Sequence, residues 1–157
     1  MDFFLNFPLI AALISIIFTQ IIKIPITFIV AKEFKPGLAF STGGMPSSHS
    51  AAVAALTTAI GITDGITSTP FAISFVFSII IMFDASGVRR HAGEQAVVLN
   101  QLIKDFHYFF DGAKDWNKKK EYEKRQELKE LLGHQPIEVF FGGLTGIGLA
   151  FFFFQFY

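Results

Sequence analysis

The sequence predicts an all-α integral membrane bundle of about four transmembrane helices, with a charged amphipathic helical insertion between the third and the fourth. Three observations predict it. Of the 157 residues, 52% are apolar and 21 are Phe, while only 17% are charged; a soluble domain of this size carries about a quarter. Most of the charge is confined to residues 89–138. The remaining chain falls into apolar runs of a length suited to hydrocarbon.

The first run, Phe3 to Ile22, has no charge and is interrupted by Asn6, Pro8, Thr19 and Gln20. About 20 residues at about 1.5 Å each cross a core of about 30 Å. Asp2 in place of a positive amino-terminal region, and the lack of a small-residue cleavage site, point to a retained helix extending to about Ile29 and not to a secretory signal. The second run, Ser50 to about Ile62, is short and rich in Ala and Thr, the composition of a helix packed among others. Asp64, Gly65 and Pro70 then mark a polar turn, so the second helix and the third, Phe71 to Phe83, form an antiparallel hairpin. The fourth run is Ile137 to Tyr157. Between the third and fourth lies the insertion, residues 94–133, almost entirely charged from Asn117 to Glu130 and read as a solvated surface helix with Glu and Lys at i,i+4 spacing. Length gives a single membrane domain over 1–157.

Alternate threading of four spans makes the charge lopsided. Lys23, Lys32 and Lys35 follow the first span, and the other ten Lys and Arg lie between Arg89 and Lys129. Both groups fall on one side, which the positive-inside rule makes cytoplasmic, with both termini outside. Zero net charge argues against a nucleic-acid partner. The absence of cysteine excludes a disulfide framework and a thiolate metal site.

Three clusters on that face carry chemistry. Gly43-Gly44-Met45-Pro46-Ser47-Ser48-His49 leads into the second helix; the glycines allow close backbone approach, Ser47 or Ser48 can cap, and a helix start binds anions. An ordinary capped turn with a surface histidine fits the same spacing. Asp84-Ala85-Ser86-Gly87-Val88-Arg89-Arg90-His91 ends the third helix; boundary arginines commonly snorkel, but Asp84 one turn deeper is expected to pair with Arg89 or Arg90 and hold a guanidinium fork suited to phosphate. Gly133-His134-Gln135-Pro136-Ile137-Glu138 opens the last helix; His134 and Glu138 at i,i+4 can pair, leaving the second ring nitrogen as acceptor or nucleophile. Gly142 and Gly146 form a small-xxx-small face for close helix packing.

Pro46-Ser47-Ser48-His49 resembles the PSGH motif of the type 2 phosphatidic acid phosphatases, with Ser48 in place of glycine. The SR-x5-H-x3-D motif of those enzymes has a split counterpart: Val88-Arg89-Arg90 resembles its arginine half and His134-x3-Glu138 its histidine half, with 43 residues between Arg90 and His134. The strings GGMPSSHSA, DASGVRRHAGEQA and LLGHQP look like the divergent acid phosphatase-like membrane proteins of the YuiD type, related to acid phosphatases and vanadium haloperoxidases, over nearly the whole chain. The amino-terminal K-x6-RP motif of the phosphatases is missing, Lys23 and Lys32 being the nearest candidates, and Glu138 stands where aspartate is usual.

The resemblance implies a membrane lipid-phosphate phosphatase acting on phosphatidylglycerophosphate, phosphatidic acid or a prenyl phosphate. His134, oriented by Glu138, would form a phosphohistidine and His49 would protonate the leaving alkoxide. Arg89, Arg90, Ser47, Ser48 and Lys23 or Lys32 would hold the phosphate, with Asp84, Gly43 and Gly44 as structural support. No cofactor or metal is expected, since no short ligand spacing links His49, His91, His134 and Asp84. No carboxylate has an evident reason to orient His91, so it is given a structural or phosphate-binding role. The implied partners are the lipid substrate and the bilayer, and a homo-oligomer is open to the glycine face. Two alternatives remain: an inactive phosphatase-like protein acting as a lipid-binding or scaffold subunit, and a transporter component, which the placement of the ionisable groups at one face disfavours.

Overall fold

The structure, a computed structural model, describes residues 6–32, 44–110 and 133–157. It is helical throughout the described residues: α1 (Phe7–Ala31), α2 (Ser48–Thr63), α3 (Thr69–Ser86), α4 (Val88–Phe110) and α5 (Pro136–Phe154). Gly43, Lys35 and the charged run from Asn117 to Glu130 lie outside the described residues, as does most of the expected insertion.

Each start has a local cause. The Asn6 side chain accepts from the Leu9 N–H at 3.1 Å, and Pro8 occupies the first turn of α1, where a missing N–H costs nothing. Ser68 caps α3 through the Phe71 N–H, and Pro70 plays the part of Pro8. The five residues from Asp64 to Ser68 are too few for anything but antiparallel neighbours, and the hairpin is tied at depth by Thr57 and Ser78, whose hydroxyl oxygens are 2.7 Å apart. Ser78 also donates to the Val53 carbonyl. In hydrocarbon such donors have no water to turn to, so partners within the bundle are required.

The centre of the bundle is α2, packed against α1, α3 and α5, with its most extensive interface against α5. Its buried residues are small: Ser48, Ser50, Ala51, Ala54, Ala55, Thr57 and Ala59. Small side chains let three neighbours approach one backbone, the packing that lipid-embedded helices rely on. The expected glycine face of α5 is used this way, since Gly142 lies against Ser47 and Ser50, and Gly146 against Ala51.

Large apolar side chains point outward. On α3, Ile73, Phe75, Val76, Phe77, Ile79 and Ile80 are all exposed, while Ser74, Ser78 and Ala85 are inside. Such a surface requires lipid around it. Three helical stretches are long and apolar enough to cross a membrane: Phe7–Ile29, one beginning at Thr69, and Pro136–Phe154. The sixteen residues of α2 fall short of that length, so the structure shows three such spans with α2 enclosed among them.

Candidate active site

The buried face of α1 is a stripe at every fourth residue: Phe7, Ala11, Ser15, Thr19 and Lys23, each no more than 2% exposed. A helix repeats a face at this spacing, so the stripe runs from an apolar end to an ammonium group. Lys23, which follows the uncharged run Phe3 to Ile22, lies inside α1 as the extension to about Ile29 implies, and it is 1% exposed. Its aliphatic stem packs beside Gly44, and its charge acts on Glu138 and His49. Lys32, the other candidate, ends α1 as an exposed left-handed cap with φ 53°. No contact in the described residues brings Lys32 to the site.

The start of α2 comes next. Ser47 is the cap: its Oγ accepts from the Ser50 N–H at 3.4 Å and lies 3.1 Å from the Ser50 Oγ. The backbone N–H of Ser47, expected to face an anion, donates instead to the Glu138 carbonyl at 3.0 Å. That bond joins α2 to α5 and leaves the N–H groups of Ser48 and His49 as the open donors of the first turn. Ser48 is 5% exposed. His49 is exposed.

The two halves of the split motif meet through backbone. The His134 N–H donates to the Ala85 carbonyl at 2.9 Å. Gly133, with φ +86°, lies so close to the Arg89–Arg90 backbone that a Cβ there would be 2.7 Å from the Arg90 Cα. Only glycine satisfies both the left-handed conformation and this approach. The chain between Arg90 and His134 is therefore an excursion that leaves and returns to the same point.

At that point α5 begins with the His134 imidazole 2% exposed. Its Nδ1 lies 2.9 Å from Glu138 Oε2, and the same carboxylate oxygen accepts the Gln135 N–H at 3.2 Å. In the neutral ring a carboxylate beside Nδ1 selects the tautomer with its proton there, which leaves the lone pair on Nε2. Nε2 is buried with no hydrogen-bond partner among the described residues. The ring stands edge-on to that of His49, with centroids 6.1 Å apart.

Arg89 donates from Nε to Asp84 Oδ2 at 2.7 Å and acts electrostatically on His49. The burial expected of Asp84 is not seen: its side chain is 40% exposed and that of Arg89 54%. An exposed pair contributes about 0–1 kcal/mol, so the bond aims the guanidinium more than it holds the fold. Arg90 turns to Glu94, Nε to Oε1 at 3.0 Å. His91 does have a carboxylate, contrary to expectation, with its Nδ1 3.1 Å from Glu94 Oε2. Both side chains are exposed. The site thus brings together His134, Glu138, His49, Lys23, Arg89, Ser47 and Ser48, and leaves Arg90 and Lys32 outside.

Comparison with known proteins bears on what such a constellation is. The sequence profile of the divergent PAP2 family matches residues 4–149. The chain belongs to this family. It is 59% identical over 150 residues to the uncharacterized membrane protein YuiD of Bacillus subtilis (strain 168), covering 96% of this chain and 95% of the relative. No solved structure matches.

For a divergent PAP2 protein the distinction between the two lysines is a testable consequence of the fold. If the site holds a phosphate, as the sequence leads one to expect, Lys23→Gln would weaken that binding by about tenfold or more, the effect of losing one partly desolvated charge. Lys32→Gln is expected to leave it unchanged. Titration of both variants by calorimetry in detergent decides this, and equal losses would remove Lys23 from the site.

Proposed function

We propose that this protein is a membrane phosphatase that hydrolyses the phosphomonoester of a lipid, whether phosphatidic acid, phosphatidylglycerophosphate or a prenyl phosphate, through a phosphohistidine on His134. The supporting observation is the His134 ring itself: buried, oriented by Glu138, and ending in a partnerless Nε2 beside a second imidazole. A buried ring nitrogen without a partner is costly, and a phosphorus atom is a reactant that would repay it.

In this reading Nε2 attacks phosphorus as the ester P–O bond breaks. His49, whose protonation partial burial and the Arg89 and Lys23 charges oppose, carries its proton once the substrate's phosphate offsets those charges and passes it to the departing alkoxide. His49, now neutral, takes a proton from water attacking the P–N bond, so inorganic phosphate leaves and His134 is restored. Lys23, Arg89 and the N–H groups of Ser48 and His49 gather the charge spread over the equatorial oxygens. The lysine and arginine asymmetry of the sequence supports a site on the cytoplasmic leaflet with both termini outside. A phosphate at headgroup depth meets it there while the acyl or prenyl tails remain in the bilayer.

His49→Ala is expected to lower phosphate release about 10²- to 10⁴-fold, the usual contribution of a general acid, with lipid binding retained. A chelator is expected to leave the wild-type rate unchanged. A panel of the three lipid phosphates in mixed micelles provides both measurements, and a full rate in the variant would dismiss His49 as the acid.

Two features favour a second reading, a lipid-binding subunit without turnover. Ser48 stands buried where the family motif has glycine, and the Ser47 N–H is already spent on Glu138. Saturable binding of every lipid phosphate with no phosphate released would select that reading.

A further inference from the structure

The helical run that starts at Thr69 continues with only the Gly87 joint to Phe106, 38 residues in all. At about 1.5 Å per residue this is about 57 Å, nearly twice the hydrocarbon core, and the 18 residues of α3 already use about 27 Å of it. The second half must therefore leave the core. The break is local: Gly87 has φ −108° and ψ −87°, outside the helical region, and glycine is a usual site for a change of helix direction. A Cβ there would sit 2.9 Å from the Phe83 carbonyl oxygen.

Beyond the joint the composition changes from all-round apolar to two-sided. On α4, Val98 and Leu102 repeat at four residues, as do Leu99 and Ile103, and all four are exposed; they share one arc of the helix. On the opposite arc lie Arg90, Gln101 and Lys104, all exposed; Arg90 reaches Glu94 and Gln101 reaches Asp105, each at 3.0 Å, along the margin beside Val98. Gly93, Ala96 and Asn100, between the two, are buried, so the side of α4 used for packing is not its apolar arc. Exposed apolar surface is unbroken across the joint, from Ile79, Ile80 and Phe83 of α3 to Val88 of α4. What covers the first three is lipid.

We propose that α4 is an interfacial helix, lying in the headgroup plane with Val98, Leu99, Leu102 and Ile103 buried in the bilayer surface. Because α4 begins where α3 has just crossed the hydrocarbon, the surface that its apolar arc meets is the headgroup region, which selects the bilayer over a second copy of the chain as the occupant. A large apolar arc opposite a charged one is the pattern of helices that lie on membranes. The helix also carries Arg89 in its first turn, so docking α4 sets the depth of the candidate site relative to lipid headgroups. The inference rests on the helix geometry and holds whether or not the site turns over substrate.

The absence of cysteine permits single-cysteine variants on the native background. Val98→Cys, Leu99→Cys, Leu102→Cys, Gln101→Cys and Lys104→Cys would each be spin-labelled in the full chain and reconstituted into vesicles of phosphatidylcholine and phosphatidylglycerol. Their collision rates with oxygen, which enters lipid, and with a water-soluble nickel chelate would then be compared. Oxygen is expected to dominate at 98, 99 and 102 and nickel at 101 and 104, with the ratio differing several-fold between the two faces. Equal access of nickel to all five would place α4 in water and overturn the proposal. So would labels at 99 and 102 that exclude both reagents and show dipolar broadening relieved by unlabelled protein, since a second copy would then cover the face.

Discussion

His134→Ala is expected to reduce phosphate release from a lipid phosphate to background, and Glu138→Gln to reduce it about 10³- to 10⁴-fold. The two effects have different origins. Alanine removes the atom that bonds to phosphorus, so no phosphoenzyme forms. Glutamine keeps the size of the orienting group but its amide can donate to Nδ1, which moves the ring proton to Nε2 and cancels the nucleophile; the magnitude is that of a wrong tautomer in a comparable imidazole–carboxylate pair. Neither change touches the bond from the His134 N–H to the Ala85 carbonyl or that from the Ser47 N–H to the Glu138 carbonyl, so the helix junction persists. The decisive readout is an acid-labile phosphoprotein trapped on rapid quenching with radiolabelled substrate. It should be present in wild type, absent in His134→Ala and strongly diminished in Glu138→Gln. A full rate in His134→Ala would move the nucleophile elsewhere.

The parts of this site that sequence revealed are those whose chemistry is local. The pairing of His134 with Glu138 follows from i,i+4 spacing on one helix, and the Ser47 cap from a serine directly before an Ala-rich run. The Asp84–Arg89 pair was likewise within reach of sequence reasoning, although its exposure was not. What sequence could not supply is the set of contacts made between elements. That Ser47 spends its N–H on Glu138, and that Gly133 rests on the Arg89–Arg90 backbone, depends on how α2, α3 and α5 converge, and no periodicity encodes convergence.

Lys23 is the instructive case. A lysine near the end of an apolar run reads as a boundary anchor, because its usual environment is water or headgroups. The signal for the opposite conclusion was present in the small or polar residues at every fourth position before it, Ala11, Ser15 and Thr19, which mark one face of α1 as turned inward. Followed one step further, that register places Lys23 on the inward face too. The same reasoning excludes Lys32, which lies beyond the helix. The count of spans was less legible, because α2 is enclosed by its neighbours and need not meet the length or hydropathy of a lipid-facing helix.

Gly146→Ala is expected to destabilise the protein by about 3 kcal/mol, whereas Gly148→Ala, two residues along the same helix, is expected to be neutral or to stabilise it by up to about 1 kcal/mol. In an isolated helix both would be favourable by the propensity difference between alanine and glycine. The surroundings reverse one of them. A methyl group at Gly146 would overlap the Ala51 carbonyl oxygen and lie 2.9 Å from the Ala51 Cα, while nothing stands within 4 Å of the corresponding position at Gly148. Backbone atoms of a central helix cannot rotate away as a side chain can, so relief requires α2 and α5 to separate, the costly form of overpacking. Thermal unfolding of the purified proteins in one detergent would compare the pair directly, and similar midpoints would mean that α5 does not approach α2 this closely. Separation also has a functional consequence, since α2 carries His49 while His134 stands at the entry to α5. Any Gly146→Ala protein that remains folded should therefore lose more activity than its remaining stability accounts for, because the 6.1 Å spacing of the two rings is set by the same interface.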